Sequence, residues 1–210
     1  MTHKKTFQIG GIHLDKHKIS ALSPIIDAGV PELVYIPVRQ HIGAPAVLQK
    51  TKGDKVKIGT LLAAADGVVS AGVHSSVAGE IVKIEEMPGS SGYQELTVVI
   101  KTAPDEFETG IDTGSDIVKE ITASREEIIS AIRKAGIVGM GGAGYPTPIK
   151  TELPENKKAD CLIVNAIECE PYLTADGALM LEKAEQIIIG AKIINKALGI
   201  QNAVIAIDEN

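Results

Sequence analysis

Gly139-Met140-Gly141-Gly142-Ala143-Gly144-Tyr145-Pro146-Thr147, with Lys150 close behind, says most about how this chain folds. Four glycines in the six positions 139–144 let a backbone approach a ligand without interference from Cβ atoms, and successive N–H groups then form a nest for an anion. A phosphate or a flat ring fits such a surface. Gly139, Gly141 and Gly144 also satisfy G-x-G-x-x-G, and Glu168 lies in the broad range where a dinucleotide fold keeps its ribose-binding acid. An ordinary dinucleotide fingerprint, however, follows a strand and opens a long helix. Here the loop follows an expected helix, and Pro146 and Pro148 restrict the chain just after it. The bland alternative, a tight connection and nothing more, is disfavoured by the neighbouring lysine and acids.

Upstream of the loop, Ser124 and Glu127 have the S-x-x-E spacing of a capping box, which predicts a helix from that point. Ile128, Ile129, Ile132 and Ala135 share one face of it, and Gly136 suits the left-handed position that ends it. Downstream, Cys161 to Val164 is a short apolar run closing on polar Asn165, as expected of a buried parallel strand whose carboxyl end opens onto a site. A second helix is predicted from about Ala178 to Leu198, with Leu181, Ala184, Ile188, Ala191 and Ile194 near one face and Gly199 closing it, and Ala203 to Ile207 reads as another buried strand. This alternation implies an α/β layer with a partly parallel sheet. With Asp208-Glu209-Asn210 directly after the last strand, the layer is expected to be incomplete at its carboxyl end.

The first half has a different pattern. Short β-branched runs at Leu33 to Pro37, Lys55 to Ile58, Thr60 to Ala65, Gly79 to Glu85 and Glu95 to Lys101 are punctuated by Gly, Pro and Asp, the mark of short strands joined by tight turns. Gly53-Asp54 and Asp66-Gly67 are turn dipeptides, the second suited to a two-residue hairpin. The run from Gly53 through Gly59, Asp66-Gly67 and His74 to Gly79 looks like the barrel-sandwich hybrid of lipoyl and biotinyl carriers. Those carriers present a lysine at a hairpin tip, and the tip here reads Asp66-Gly67-Val68, so a swinging-arm role is disfavoured. His41 and His74 sit in Gly/Pro/Ser-rich loops without a carboxylate or cysteine partner nearby in sequence, which favours structural roles over ligation. Residues 104–120, rich in Asp, Glu, Thr and Gly, read as a solvated linker.

Composition narrows the functions available. The 210 residues carry 21 basic and 27 acidic side chains, a net charge of −6 that repels a phosphate backbone. Aromatic content of 3% without tryptophan leaves few stacking platforms for bases. No apolar run approaches the roughly 20 residues of a membrane span, and Met1 to Gly10 lacks the apolar centre of a secretory signal, so a cytoplasmic location is expected. Cys161 and Cys169 are not in a C-x-x-C arrangement, which gives this stretch no metal-cluster motif and favours reduced thiols.

Two ordered motifs carry a family resemblance. The glycine loop with Tyr-Pro-Thr and Lys150 resembles the G-x-G-G-A-G-[FY]-P-T-x-x-K signature of the complex I flavoprotein subunit and of the RnfC family, and Asn165-Ala166-Ile167-Glu168-Cys169-Glu170-Pro171 resembles the RnfC form of the N-x-x-E-x-E-P segment. The complex I form commonly carries an acid where Ile167 stands. Gly10-Gly11-Ile12-His13 and Gln40-His41-Ile42-Gly43-Ala44-Pro45 are similar to the RnfC start and barrel, so the likeness spans nearly the whole chain.

The resemblance implies an amino-terminal extension over 1–30, a barrel-sandwich hybrid over 31–103, the linker over 104–120 and an α/β domain binding flavin mononucleotide (FMN) and NADH over 121–210. It implies cofactor contacts from Gly139, Gly141, Gly142, Ala143, Gly144, Tyr145, Thr147, Lys150, Asn165, Glu168 and Glu170, with Glu168 and Glu170 orienting the nicotinamide ribose and amide and Asn165 fixing ring edges. Glu209-Asn210 falls where the complex I relative has further nucleotide contacts. No residue is expected to be a proton donor, because hydride exchange between NADH and FMN is the cofactors' own chemistry. Onward transfer to iron-sulfur clusters in a later segment, partner subunits of an Rnf-type ion-translocating complex, ferredoxin as an indirect partner, and a peripheral position on the cytoplasmic face of the membrane are likewise implied. A PrdC-like carrier serving another reductase and a non-catalytic docking module remain as alternatives.

Overall fold

The computed structural model describes residues 14–89, 92–140 and 142–207. The amino-terminal Gly10 to His13 motif, Gly141 and Asp208 to Asn210 lie outside these residues.

Seven strands build the first module: β1 (Leu33–Pro37), β2 (Val47–Leu48), β3 (Lys55–Val56), β4 (Leu61–Ala64), β5 (Val73–His74), β6 (Gly79–Pro88) and β7 (Gln94–Thr102). They form a four-stranded sheet in the order β1-β7-β6-β3 and a three-stranded sheet in the order β2-β4-β5, all antiparallel. The two sheets share one core, in which Ile36, Leu62, Val73, Ile81, Val98 and Ile100 are buried. This is the barrel-sandwich hybrid that the resemblance implied. β7 is its central element: Val98, Val99 and Ile100 are all buried, because β7 has β1 on one side and β6 on the other. Gly79 opens β6 where the strands come closest; a Cβ there would collide with the Lys101 carbonyl oxygen.

One turn expectation fails. Asp66-Gly67 does not make a two-residue hairpin but lies in the longer loop between β4 and β5. Gly67 does take positive φ (88°), yet Ser70 draws the loop into a wider turn by accepting the Asp66 N–H at 3.0 Å. The linker also differs from a freely solvated connection at its start. Ile58 bridges Phe107, Glu108 N donates to Ile58 O at 2.9 Å, and the Thr60 hydroxyl donates to Glu108 at 2.6 Å, so residues 106–108 edge the barrel.

The second module contains α1 (Arg125–Lys134), α2 (Thr147–Thr151), β8 (Cys161–Ala166), α3 (Ala175–Glu182), α4 (Ala184–Leu198) and β9 (Asn202–Ile207). Both halves of the α1 capping box form: Ser124 Oγ accepts from Glu127 N at 3.2 Å, and Glu127 Oε2 accepts from Ser124 N at 2.7 Å. Ile128 and Ile132 then pack on Ala197 of α4 in a small second core. The helix expected over 178–198 is two helices broken at Lys183, whose φ and ψ of −127° and 27° are not helical. Gly199 closes α4 in the left-handed conformation (φ 70°).

β8 and β9 pair in parallel, as the α/β reading required. They are not buried strands, however: Ile163 is 67% exposed and Val204 54%. Among the described residues the sheet has two strands with α4 packed on one face, and its other face is exposed, which apolar content alone did not indicate. The predicted face of α4 fails in part for the same reason. Leu181 falls in α3 and is exposed, as is Ile188 of α4; Ile193 and Ile194 pack on the second core, and Asn195 and Ala197 are buried.

Candidate functional site

The glycine loop is pinched at its neck. Val138 bridges Pro146, Gly139 N donates to Tyr145 O at 2.8 Å, and Thr147 N donates to Ile137 O at 3.0 Å. That closure engages the Gly139 N–H inside the loop, so it is not available to an anion. Lys150 returns from α2 over the Tyr145 ring, with Nζ 5.9 Å from its centroid, and lies against Gly139, where a Cβ would meet Nζ at 2.7 Å. Gly139, Tyr145, Thr147 and Lys150 thus form one cluster around the neck.

Gly144 serves a different purpose. Its φ is 64°, and a Cβ would fall 2.7 Å from Gln40 O and 3.0 Å from the His41 Cα. The glycine therefore brings the loop close onto the barrel, and Ile42 N reaches its carbonyl oxygen at 3.4 Å. At Gly142, by contrast, a Cβ would meet nothing within 4 Å.

The loop and the barrel enclose a cleft of about 530 Å³, lined on the loop side by residues including Gly139, Met140, Gly142, Ala143 and Gly144. Such a volume falls within the roughly 300–1,000 Å³ of small-molecule sites. The opposite wall belongs to the barrel: Arg39, Gln40 and Ile42, with Tyr93 and Glu95 from the β6–β7 hairpin. Sequence reasoning placed the site in the second half alone and missed these residues. Gln40 and Ile42 belong to the stretch that resembles the RnfC barrel, but their place in a cleft comes only from the packing of one module on the other.

His41 fixes that wall. Its ring is buried; Nε2 accepts the Ala71 N–H at 3.2 Å, which puts the proton on Nδ1, 3.1 Å from Ile42 O. The imidazole joins the loop after β1 to the loop before β5, in keeping with a structural role. His74 lies in β5 beside Gly72 and Gly136, and its burial lowers its pKa below the ordinary 6.5.

The acidic turn is built separately. Near the end of β8, Asn165 Oδ1 accepts the Ile167 N–H at 3.2 Å and turns the chain. Glu168 is buried, 8% exposed, and its Oε1 accepts the Asp176 N–H at 2.7 Å at the start of α3. Lys18 Nζ lies 4.0 Å from its Oε2. The Glu168 carboxylate is thus directed into the protein, not out towards a ribose as its position in the motif suggested. Asn165 and Glu170 are exposed, and Cys169 Sγ lies 3.4 Å from Glu170 Oε2. Among the described residues, neither Lys150 nor Asn165, Glu168 or Glu170 lines the cleft beside the glycine loop. The site residues therefore fall in two groups, a neck cluster and an acidic turn.

A barrel-sandwich hybrid packed on a glycine-loop α/β unit is a two-module pairing that comparison with known proteins places in one family. Residues 5–105 match the RnfC barrel sandwich hybrid domain, and residues 132–210 match the Nuo51 FMN-binding domain. The chain belongs to the RnfC family. It is 43% identical over 208 residues to a subunit of the proton-translocating ferredoxin:NAD(+) oxidoreductase complex of Clostridium ljungdahlii, covering 98% of this chain and 45% of that protein. Identity to the corresponding subunit of the Na(+)-translocating ferredoxin:NAD(+) oxidoreductase complex of Acetobacterium woodii is 39% over 206 residues, covering 96% and 45%. The matching subunit of the ion-translocating oxidoreductase complex of Rhodobacter capsulatus is 37% identical over 207 residues, covering 96% and 39%. The chain thus spans less than half the length of these curated relatives.

Among the described residues no helix is long and apolar enough to cross a membrane.

Proposed function

We propose that this chain forms the FMN- and NADH-binding portion of the electron-entry subunit of an ion-translocating ferredoxin:NAD oxidoreductase complex. The observation that carries the reading is the cleft in which Met140, Gly142 and Ala143 of the glycine loop face Arg39 and Gln40 of the barrel. Its residues fit FMN: the open side of Gly142 admits a flat ring against the backbone, and the Arg39 guanidinium supplies a cation for the phosphate. FMN, when bound, supplies two-electron acceptance from a nicotinamide and one-electron release to an iron-sulfur centre.

The protein's own part is orientation. Gly139 and Gly144 set the loop, Tyr145 and Thr147 hold its neck, and Lys150 adds positive charge beside it. Asn165 and Glu170 meet the nicotinamide nucleotide from the acidic turn, while Glu168 acts from behind by fixing that turn. With both cofactors bound, hydride exchange would be their own chemistry, and this chain's part would be to orient them rather than to donate a proton. Electrons continue to iron-sulfur clusters outside this segment, and the partners are the other subunits of a membrane complex on its cytoplasmic face, with ferredoxin reached indirectly.

Titration of free FMN with the purified protein tests the reading. Quenching of flavin fluorescence that saturates at one FMN per chain, and bleaching of the bound flavin by NADH, are expected. Absence of quenching in the full-length protein rejects it.

A further inference from the structure

The amino-terminal segment straps the acidic turn in place. Lys18 reaches 150 positions along the chain to donate to Glu168 O at 3.1 Å, and donates also to Glu170 O at 3.4 Å and Leu173 O at 2.6 Å. These acceptors match the three donors of an ammonium group. Its side chain is 11% exposed and that of Glu168 is 6% exposed, so two charges are held almost out of water 4.0 Å apart. Burial of that kind persists only where each charge is paired and hydrogen-bonded. The second Glu168 oxygen meets that need by accepting the Asp176 N–H at the positive end of α3.

Four further contacts follow the same path. Tyr172 N donates to Lys16 O at 2.9 Å, the hydroxyls of Ser20 and Thr174 lie 2.8 Å apart, and Ile25 N donates to Glu182 Oε1 at 2.8 Å. His17 stacks on Tyr172 with ring centroids 5.2 Å apart. Both residues hold positive φ, 47° and 69°, a strained conformation in a non-glycine residue that persists only when its surroundings impose it.

We propose that Lys18 is a positioning residue: its ammonium sets the geometry of the 168–174 turn, so that the presentation of Asn165 and Glu170 to a nicotinamide nucleotide depends on the amino-terminal strap. The functional half of this statement rests on the flavin and NADH reading above; the structural half rests on the contacts alone. Asn165 and Glu170 flank the strapped residue in sequence and are exposed, whereas Glu168 between them is turned inward. The strap thus holds one carboxylate of the Glu168-Cys169-Glu170 run inward and leaves the other exposed.

Hydrogen exchange and steady-state kinetics on the full-length Lys18→Met protein test it. In the flavin-free protein, exchange at the amides of 168–176 is expected to accelerate by about tenfold or more, while the barrel amides of Val98 to Ile100 keep their protection. With FMN bound, KM for NADH is expected to rise severalfold with flavin content and kcat little changed. Unchanged exchange at 168–176 overturns the proposal, as does faster exchange with an unaltered KM, which reduces Lys18 to a structural clasp. Wild-type protein that neither binds FMN nor oxidises NADH rejects the flavin reading and the functional half with it, an outcome distinct from failure of the exchange arm. Should Lys18→Met not fold, as loss of barrel protection would reveal, Lys18→Gln keeps amide donors without the charge and is judged by the same readouts.

Discussion

Gly136, just past the end of α1, lies against the Gly72 backbone of the barrel: a Cβ at this position would collide with the Gly72 carbonyl oxygen. Its φ of 65° makes a second, independent demand for glycine. Gly136→Ala is expected to destabilise the protein by more than the roughly 1–2 kcal/mol of the left-handed conformation, because the two modules must also move apart. Thermal unfolding followed by circular dichroism checks this, and an unchanged melting temperature rejects the close approach.

Gly144 and Gly142 separate the two uses of glycine in one loop. Gly144→Ala meets Gln40 O and a positive φ, and is expected to lower the melting temperature by several degrees, as a loss of about 1–2 kcal/mol does in a chain of this size. Gly142→Ala meets open space and is expected to leave the melting temperature of the flavin-free protein almost unaltered while weakening FMN binding. Equal effects on both measurements from both variants would remove the assignment of Gly142 to the flavin face.

His41 is expected to be worth more to the barrel than to any ligand. His41→Ala leaves the Ala71 N–H without its acceptor and opens a space under the loop after β1, at a cost of about 1–3 kcal/mol for the unsatisfied donor. Urea denaturation of the flavin-free protein measures it. A variant as stable as the parent, but impaired in flavin binding, would make His41 a ligand instead.

The burial of His74 sets the sign of one pH effect. Its folded pKa is lowered by desolvation, so the unfolded chain binds the proton more readily. Its contribution is therefore complete above the ordinary value of 6.5 and is lost as pH falls from there towards the depressed folded value. His74→Gln is expected to flatten stability against pH in that window, measured by denaturant midpoints between about pH 5 and 8. A parent profile already flat there contradicts it.

Lys18 and Glu168 should couple. Each single change, Lys18→Met or Glu168→Gln, strands the other charge, so a double-mutant cycle is expected to give an interaction energy in the range of about 0.5–3 kcal/mol. Additive effects would show that the 4.0 Å pair contributes nothing beyond the carbonyl contacts.

Much of this architecture was legible in the sequence because its signals are local. The capping box at Ser124, the left-handed glycine at Gly136 and Gly199, and the strands at Leu33–Pro37 and Asn202–Ile207 each depend on residues a few positions apart. Burial was less legible. The apolar run at Cys161 to Val164 reads as core, but the exposure of β8 depends on how many neighbours the sheet has, which no local pattern records. The two-residue strands β2 and β5 are too short to show a period and are defined only by their pairing with β4.

For the candidate site, the motifs themselves are a matter of sequence: a glycine loop able to bring backbone to a ligand, an acid-bearing turn after a strand, and their order along an RnfC-type chain. What each residue does within them emerges only once the chain is folded. Gly144 contacts the barrel, Gly139 gives its N–H to the loop neck, Arg39 and Gln40 complete the cleft from the other module, and Glu168 points inward to Lys18 and α3. The reason is physical. A motif sets backbone conformation through neighbours in sequence, whereas the direction of a carboxylate and the face of a glycine are set by charges and backbones brought from up to 150 residues away.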